Sequence, residues 1–222
     1  MTQQHEPHPA HEHTAEAWDE RYRSQQQLFS GNPNGVLVTD VADLPPGQAL
    51  DVGCGEGGDA IWLARRGWQV TAIDISRVAL QRGAAAAHAA SAESGSGGSG
   101  NVDVAEHISW VHGDPTSMAP PADTFDLVSV HYFPLKREPG DAALRGLLAA
   151  VAPGGTLLYV SHDIADVDPS FEPHLYYQPG EVAELLGDDW TIEDNALRAR
   201  TTPPPEGTHH HNDVVLRARR TA

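Results

Sequence analysis

The segment LDVGCGEGGDAIWLA at residues 50–64 constrains the fold more than any other. An apolar run meets four glycines within six residues, Gly53, Gly55, Gly57 and Gly58, and a helical apolar pattern follows at once. A strand, a glycine-rich turn and a helix in that order make the nucleotide-binding unit of an open α/β sheet. Glycine lets the backbone turn sharply and lets a ligand lie against it. The helix start adds unpaired N–H groups and a partial positive charge. Gly53, Gly55 and Gly58 satisfy G-x-G-x-x-G, a spacing that several ligand classes share.

The rest of the chain continues the alternation. Residues 48–52 and segments within 67–76, 107–114, 124–133 and 156–163 read as strands. Residues 59–66, 77–92 and 141–151 read as helices, the last stopped by PGG at 153–155, and residues 93–100 as a flexible loop. A short helix at 179–186 precedes two closing strands, 190–200 and 213–219, which have only a loop between them and so pair antiparallel. The expected fold is therefore α/β, a Rossmann-like doubly wound sheet, mostly parallel, with helices on both faces. Ahead of the sheet, residues 15–29 have a helical pattern with Trp18 and Tyr22 on one face. SGNPNG at 30–35 is a turn cluster, and a further helical turn or two ends at PPG, 45–47. The organisation expected is a disordered His-rich tail over residues 1–14, then one domain over 15–222 with a helical cap at about 15–46. His5, His8, His11 and His13 are read as solvated tail residues.

The formal charge of −17 sets the partner class, because nucleic-acid binding gains its affinity from Lys and Arg on phosphates. A small-molecule partner is expected, and no nucleic acid. No apolar run approaches the roughly 20 residues needed to span a bilayer, so no membrane partner is expected either. MTQQHEPHPAHEH is polar and lacks an apolar signal core. The one cysteine, Cys54, permits no intramolecular disulfide and fits a reducing cytoplasm, the expected location. Cys54 is read as a small residue filling the glycine turn.

Two acids select the ligand. Asp51 stands two residues ahead of Gly53, where a carboxylate would repel a pyrophosphate and favour an ammonium. Asp74, about 20 residues beyond the turn, ends the second strand, where a carboxylate accepts hydrogen bonds from both ribose hydroxyls. A ligand with a ribose and a cationic or zwitterionic end meets both conditions, and S-adenosylmethionine is such a molecule. Asp114, in HGD after the third strand, is placed to accept from the adenine amino group, with Ile75 or Met118 on the ring. A binding protein without catalysis remains an alternative, and an NAD-dependent oxidoreductase is a further one that Asp51 and the closing hairpin oppose.

LDVGCGEGG and VTAIDIS resemble the first two motifs of the class I S-adenosylmethionine-dependent methyltransferases. HGD, FDLVSVHYF and APGGTLLYV match the later motifs in order and spacing, so the resemblance covers nearly the whole chain. AWDERY and the compact size are also similar to the small tellurite-resistance and thiopurine-type methyltransferases. The resemblance implies a seven-stranded sheet with an antiparallel last strand and S-adenosylmethionine as cofactor, released as S-adenosylhomocysteine. It implies that Asp51, Gly53, Cys54 and Gly55 hold the methionine part. Asp74 then holds the ribose and Asp114 the adenine, and Ile75, Pro115 and His131 are among the cofactor-binding residues. It further implies that the helix bearing Trp18 and Tyr22 closes over the cofactor.

Methyl transfer from a sulfonium is an in-line displacement, so alignment matters most, and an alcohol or poorly acidic amine also needs a base. Histidine accepts protons near neutral pH. His131, His162 and His211 fall where the fourth and fifth strands end and where the last hairpin opens, the usual ligand edge of such a sheet. They are the candidate catalytic residues. Nothing in their spacing demands a metal, and none is expected.

Overall fold

The computed structural model describes residues 13–94, 103–166, 172–201 and 211–222. The tail residues 1–12, most of the loop after residue 94 and most of the HHH-containing hairpin loop lie outside the described residues. Seven strands form one sheet: β1 (Gln48–Val52), β2 (Gln69–Asp74), β3 (Ile108–His112), β4 (Phe125–His131), β5 (Val151–His162), β6 (Trp190–Ala199) and β7 (Asn212–Arg220). Their order is β3-β2-β1-β4-β5-β7-β6. Strands β1 to β5 pair in parallel, while β7, set between β5 and β6, runs antiparallel to both. The order reverses at β1 and β4, and the turn after β1 opens at that switch point, where α/β sheets take ligands.

Side chains alternate across the strands, and each face buries one helical layer. Ala49, Val70, Ala72, Leu127 and Val160 pack against α2 (Gly35–Asp40), α3 (Gly58–Ala64) and α4 (Arg77–Ser94). Leu50, Val52, Val128, Val130 and Leu157 pack against α5 (Ala142–Ala150) and α6 (Pro179–Leu185). Among the described residues no helix is long and apolar enough to cross a membrane.

Two local expectations shift. The helical pattern of residues 15–29 forms a helix only over α1 (Ala15–Arg23), capped by the Thr14 hydroxyl on the Ala17 N–H. Beyond it tertiary partners take the backbone groups that a longer helix would use. Arg82 donates to the Gln25 carbonyl, and Glu56 Oε2 accepts the Leu28 and Phe29 N–H groups at 3.2 Å each. The second shift is at β5, which starts at Val151, within the expected helix. Val151 pairs with Phe125, and the register then slips so that Thr156 pairs with Leu127. Val151 to Gly155 is thus the irregular start of a strand, bent at Gly154, whose φ is +80°.

Helix α2 is tied to the far hairpin. Arg198 Nη1 reaches both oxygens of the buried Asp40 at 2.8 and 2.9 Å, and Arg217 donates to the Asp40 carbonyl at 2.9 Å. Near the glycine turn the fit is closer still. Gly57 heads α3 at φ +82°, and a Cβ there would lie 2.4 Å from Trp110 Cη2. A Cβ on Gly83 of α4 would lie 2.6 Å from the same atom, so the two glycines hold the indole edge between turn and helix. Gly57→Ala combines a left-handed alanine with overpacking, and should cost about 2–4 kcal/mol in urea unfolding. Unchanged stability would mean that the indole shifts freely.

Candidate functional site

The site grows from the end of β1. Gly53 and Cys54 both donate backbone N–H bonds to the Ile73 carbonyl, at 2.9 and 3.1 Å, which ties the turn to the end of β2. Gly53 and Gly55 hold φ of +70° and +53°. The Gly55 N–H donates to Asp74 Oδ2 at 2.9 Å, and the Ser76 N–H donates to Asp74 Oδ1 at 2.7 Å. Each oxygen of Asp74 therefore has one fixed backbone partner, and its remaining lone pairs are oriented by the two. Burial raises the Asp74 pKa, against the lowering effect of these two bonds.

Asp51 lies deeper, between Ala72 of β2 and Ser129 of β4. It is buried, and its Oδ2 has no hydrogen-bond partner. Burial first, then Asp59 and Asp74, push its pKa well above the ordinary carboxylate range. The same surroundings push the Cys54 thiol up, burial leading and Asp51 and Asp74 following, which keeps it protonated and unlike a nucleophile. An enclosed acid with an unused oxygen beside an open backbone fits a ligand that brings a cation. Asp59, buried in the first turn of α3, accepts the Asn34 backbone N–H at 2.7 Å and its Nδ2 at 2.8 Å.

Two aromatic rings lie over the turn. A Cβ on Gly55 would be 2.9 Å from Tyr22 Oη, and one on Gly53 would be 2.7 Å from Phe133 Cδ2. Tyr22 is brought there by α1. Asp19 of that helix accepts from Ser76 Oγ at 2.6 Å and from the Val78 N–H at 3.1 Å, so it caps α4 from a separate element. Trp18 packs on Tyr22 with ring centroids 6.0 Å apart. His13 links Trp18 to Tyr176, at 6.3 and 5.8 Å. Across the turn, His112 Nε2 lies 3.1 Å from the Ile75 carbonyl, Pro115 is buried, and Met118 rests on Gly113. Asp114 Oδ1 closes its own turn, accepting the Thr116 N–H and Oγ1 at 2.8 and 2.7 Å.

The ends of β4 and β5 carry a second group. Tyr132, at φ +52°, stacks on His162 with centroids 4.3 Å apart and planes 16° apart. Its hydroxyl donates to the buried Asp213 at 2.8 Å, and Arg200 Nη1 reaches the same oxygen at 3.1 Å. A non-glycine residue at positive φ is strained, and these contacts hold it. His131 is buried beside this group, its Nδ1 2.9 Å from Ser129 Oγ. His211 is exposed, its carbonyl accepting the Arg200 N–H, two residues beyond the partner of His162 in the β5–β7 register. The structure thus gathers Trp18, Tyr22, Asp51, Gly53, Cys54, Gly55, Asp74 and Ile75 around the turn. It sets His131 and His162 at the neighbouring strand ends and leaves His211 at the rim. Among the described residues no three His, Cys, Asp or Glu side chains form a metal-holding group. Asp59, Ser129, Arg200 and Asp213 were not singled out from the sequence. Only Asp59, directly after the glycines, carried a positional hint.

Comparison with known proteins agrees with this geometry. The family pattern described as a methyltransferase domain matches residues 49–155. A 2-heptyl-1-hydroxyquinolin-4(1H)-one methyltransferase from Mycobacteroides abscessus is 29% identical over 192 residues, covering 76% of this chain and 78% of the relative. A ribosomal RNA small subunit methyltransferase C from Alcanivorax borkumensis is 51% identical over only 35 residues, 16% of this chain, and the matched part is 11% of that protein. Among solved structures, the N-methyltransferase NodS from Bradyrhizobium japonicum, in complex with S-adenosylhomocysteine, superposes with a TM-score of 0.65 at 18% identity, covering 91% of this chain and 96% of that one. The matched segment runs from β1 into β5 and contains the glycine turn, Asp51, Asp74 and Asp114. With that match and a seven-stranded sheet closed by an antiparallel strand, the chain carries a methyltransferase domain and has the fold of the class I S-adenosylmethionine-dependent methyltransferases.

Proposed function

We propose that this chain moves a methyl group from S-adenosylmethionine to a small-molecule acceptor by in-line displacement. The observation that carries the reading is Asp51, an enclosed carboxylate with an unpartnered oxygen beside the glycine turn. A buried acid of this kind calls for a cation. A dinucleotide pyrophosphate would add like charge beside three acids.

In this reading Asp51 meets the ammonium of the methionine part, and the backbone of Gly53, Cys54 and Gly55 runs along it. Asp74 accepts from the ribose hydroxyls. Ile75, Pro115 and Met118 flank the adenine, and the second oxygen of Asp114 accepts from its amino group. Trp18 and Tyr22 cover the cofactor from α1. The bound cofactor supplies a methyl group already activated by sulfonium charge. The protein's task is then to orient the acceptor and exclude water, and orientation can supply roughly 7–11 kcal/mol of the barrier. The Tyr132–His162 stack gives the acceptor side an aromatic wall, with Arg200 and Asp213 behind it, and Tyr176 lies by the α1 cap through His13. The hydroxyquinolone substrate in the name of one relative supports a small aromatic acceptor. The charge of −17 disfavours nucleic acid.

Titration calorimetry with S-adenosylhomocysteine, and NADH as control, tests the reading. The first should bind and the second should not, and the reverse result would refute it. Asp74→Ala should weaken S-adenosylhomocysteine about 10- to 100-fold, from hydrogen bonds to a charged acceptor of about 1.5–3 kcal/mol. Unchanged affinity would remove Asp74 from the ribose. Asp51 has a raised pKa in the free protein, and a cation favours its ionised form. Binding should therefore release protons, with affinity rising as pH rises through that pKa. Calorimetry in two buffers of different ionisation heat reads the release, and a flat pH dependence would exclude Asp51 from the ammonium site. His162→Ala should raise the acceptor KM and leave cofactor affinity unchanged. An unaltered KM would reduce His162 to packing.

A further inference from the structure

We propose that His131 accepts the proton of a hydroxyl-bearing methyl acceptor through Nε2, and that Asp59 and Ser129 are positioning residues that fix its tautomer. The inference rests on the methyltransferase reading above and narrows its acceptor class.

His131 ends β4, and its side chain is only 3% exposed. Two residues on, Phe133 lies over Gly53. The next residue, Tyr132, stacks on His162. The strand end that carries the imidazole therefore lies between the glycine turn and the aromatic wall, and the ring itself faces Ser129 and Asp59. Its Nδ1 is 2.9 Å from Ser129 Oγ and 3.6 Å from Asp59 Oδ2. Its Nε2 is buried with no hydrogen-bond partner.

The hydroxyl of Ser129 could in principle donate to Nδ1 or accept from it. The carboxylate decides. Asp59 is held by two donors from Asn34, and its oxygen faces Nδ1, so the proton is favoured on Nδ1 and the lone pair on Nε2. That lone pair is enclosed and unused. A nitrogen left so is costly unless a bound group donates to it, and an acceptor hydroxyl would do so.

Charged groups reach the ring from several elements: Asp59 from α3, Asp213 from β7 and Asp40 from α2. Asp51 of β1 stands beside Ser129 in the strand register. Burial lowers the His131 pKa, against the raising effect of Asp59, Asp213 and Asp40. The downward shift favours the neutral ring, whose lone pair can accept a proton.

In the reaction the acceptor oxygen bonds to the methyl carbon, and the methyl–sulfur bond breaks with its electron pair left on sulfur. The hydroxyl proton moves to Nε2, and the imidazolium opposite Asp59 later returns it to solvent. A thiolate or an ionised metalloid oxyanion would need no such base. The arrangement therefore selects hydroxyl acceptors that still carry their proton at neutral pH.

Imidazole ¹⁵N NMR reads the tautomer without any turnover. His131 should show Nδ1–H with a bare Nε2, and Asp59→Asn should shift the population toward Nε2–H. Para-substituted phenols with acidities on either side of the assay pH are the probe acceptors. His131→Gln should lower kcat by about 100-fold or more for protonated phenols and by less than about 3-fold for ionised ones. S-adenosylhomocysteine affinity should stay within about 3-fold, a change small on the affinity scale. Loss of the Asp59 charge removes a contribution that raises the His131 pKa. Asp59→Asn should therefore move the acidic limb of kcat/KM to lower pH, with a plateau about 10-fold lower. If Asp59→Asn does not fold, the tautomer of the wild-type ring decides by itself. An Nε2–H ring in the wild type, equal losses for both phenol classes, or turnover confined to thiols would overturn the proposal. Failure of the wild type to bind S-adenosylhomocysteine would instead refute the methyltransferase reading itself.

Discussion

The carboxylate of Asp74 is the interaction on which the rest of the site depends. It takes one N–H from Gly55, in the turn after β1, and one from Ser76, at the start of α4. Hydrogen bonds to a charged acceptor are among the stronger ones in a protein, and here they join segments that sequence keeps about 20 residues apart. Ser76 extends the join, since its hydroxyl donates to Asp19 of α1. Turn, second strand, α4 and cap therefore meet at one acid. Tyr22 reaches Gly55 because Asp19, one turn earlier in the helix, is fixed on the far side of that acid.

Around this join the chain buries an excess of negative charge. Asp51, Asp59 and Asp74 are all largely enclosed, and each raises or feels the charge of another. Burying acids without cations is destabilising, and the protein moderates the cost by different means. Asp59 is given the two donors of Asn34, and Asp74 the two backbone N–H groups. Asp51 keeps an empty oxygen and a raised pKa. A cationic ligand would relieve Asp51 and would stabilise the folded state by mass action. Of the three acids, Asp59 also acts on His131, which ties the electrostatics of the glycine turn to that of the end of β4.

The proposed acceptor side depends on a different kind of order. Tyr132 is held at a strained backbone angle by the Asp213 bond and the His162 stack. Strain of this kind persists only where the surroundings over-determine it. Three strands contribute, β4, β5 and β7, so the wall exists only once the antiparallel strand has inserted beside β5. Arg200 and Asp213 flank the hairpin loop, and their pairing fixes where that loop leaves the sheet.

The sequence by itself determined the alternation of strands and helices, the closing hairpin, and the acids of the first and second motifs. Those features are local: an apolar strand running into glycines, or an acid two residues ahead of a turn, has its meaning within a few positions. The sequence also carried a helical pattern through residue 29 and a helix through Val151. Tertiary partners ended both, Glu56 and Arg82 by taking backbone groups and Phe125 by pairing with Val151. Only the tertiary structure decided that Asp19 caps a helix some 58 residues away, that Asp59 faces His131, and that Arg200 and Asp213 stand behind Tyr132. Such contacts join residues far apart in the chain, and no spacing or periodicity encodes them. They exist because the strand order β3-β2-β1-β4-β5-β7-β6 brings those residues to one edge of the sheet.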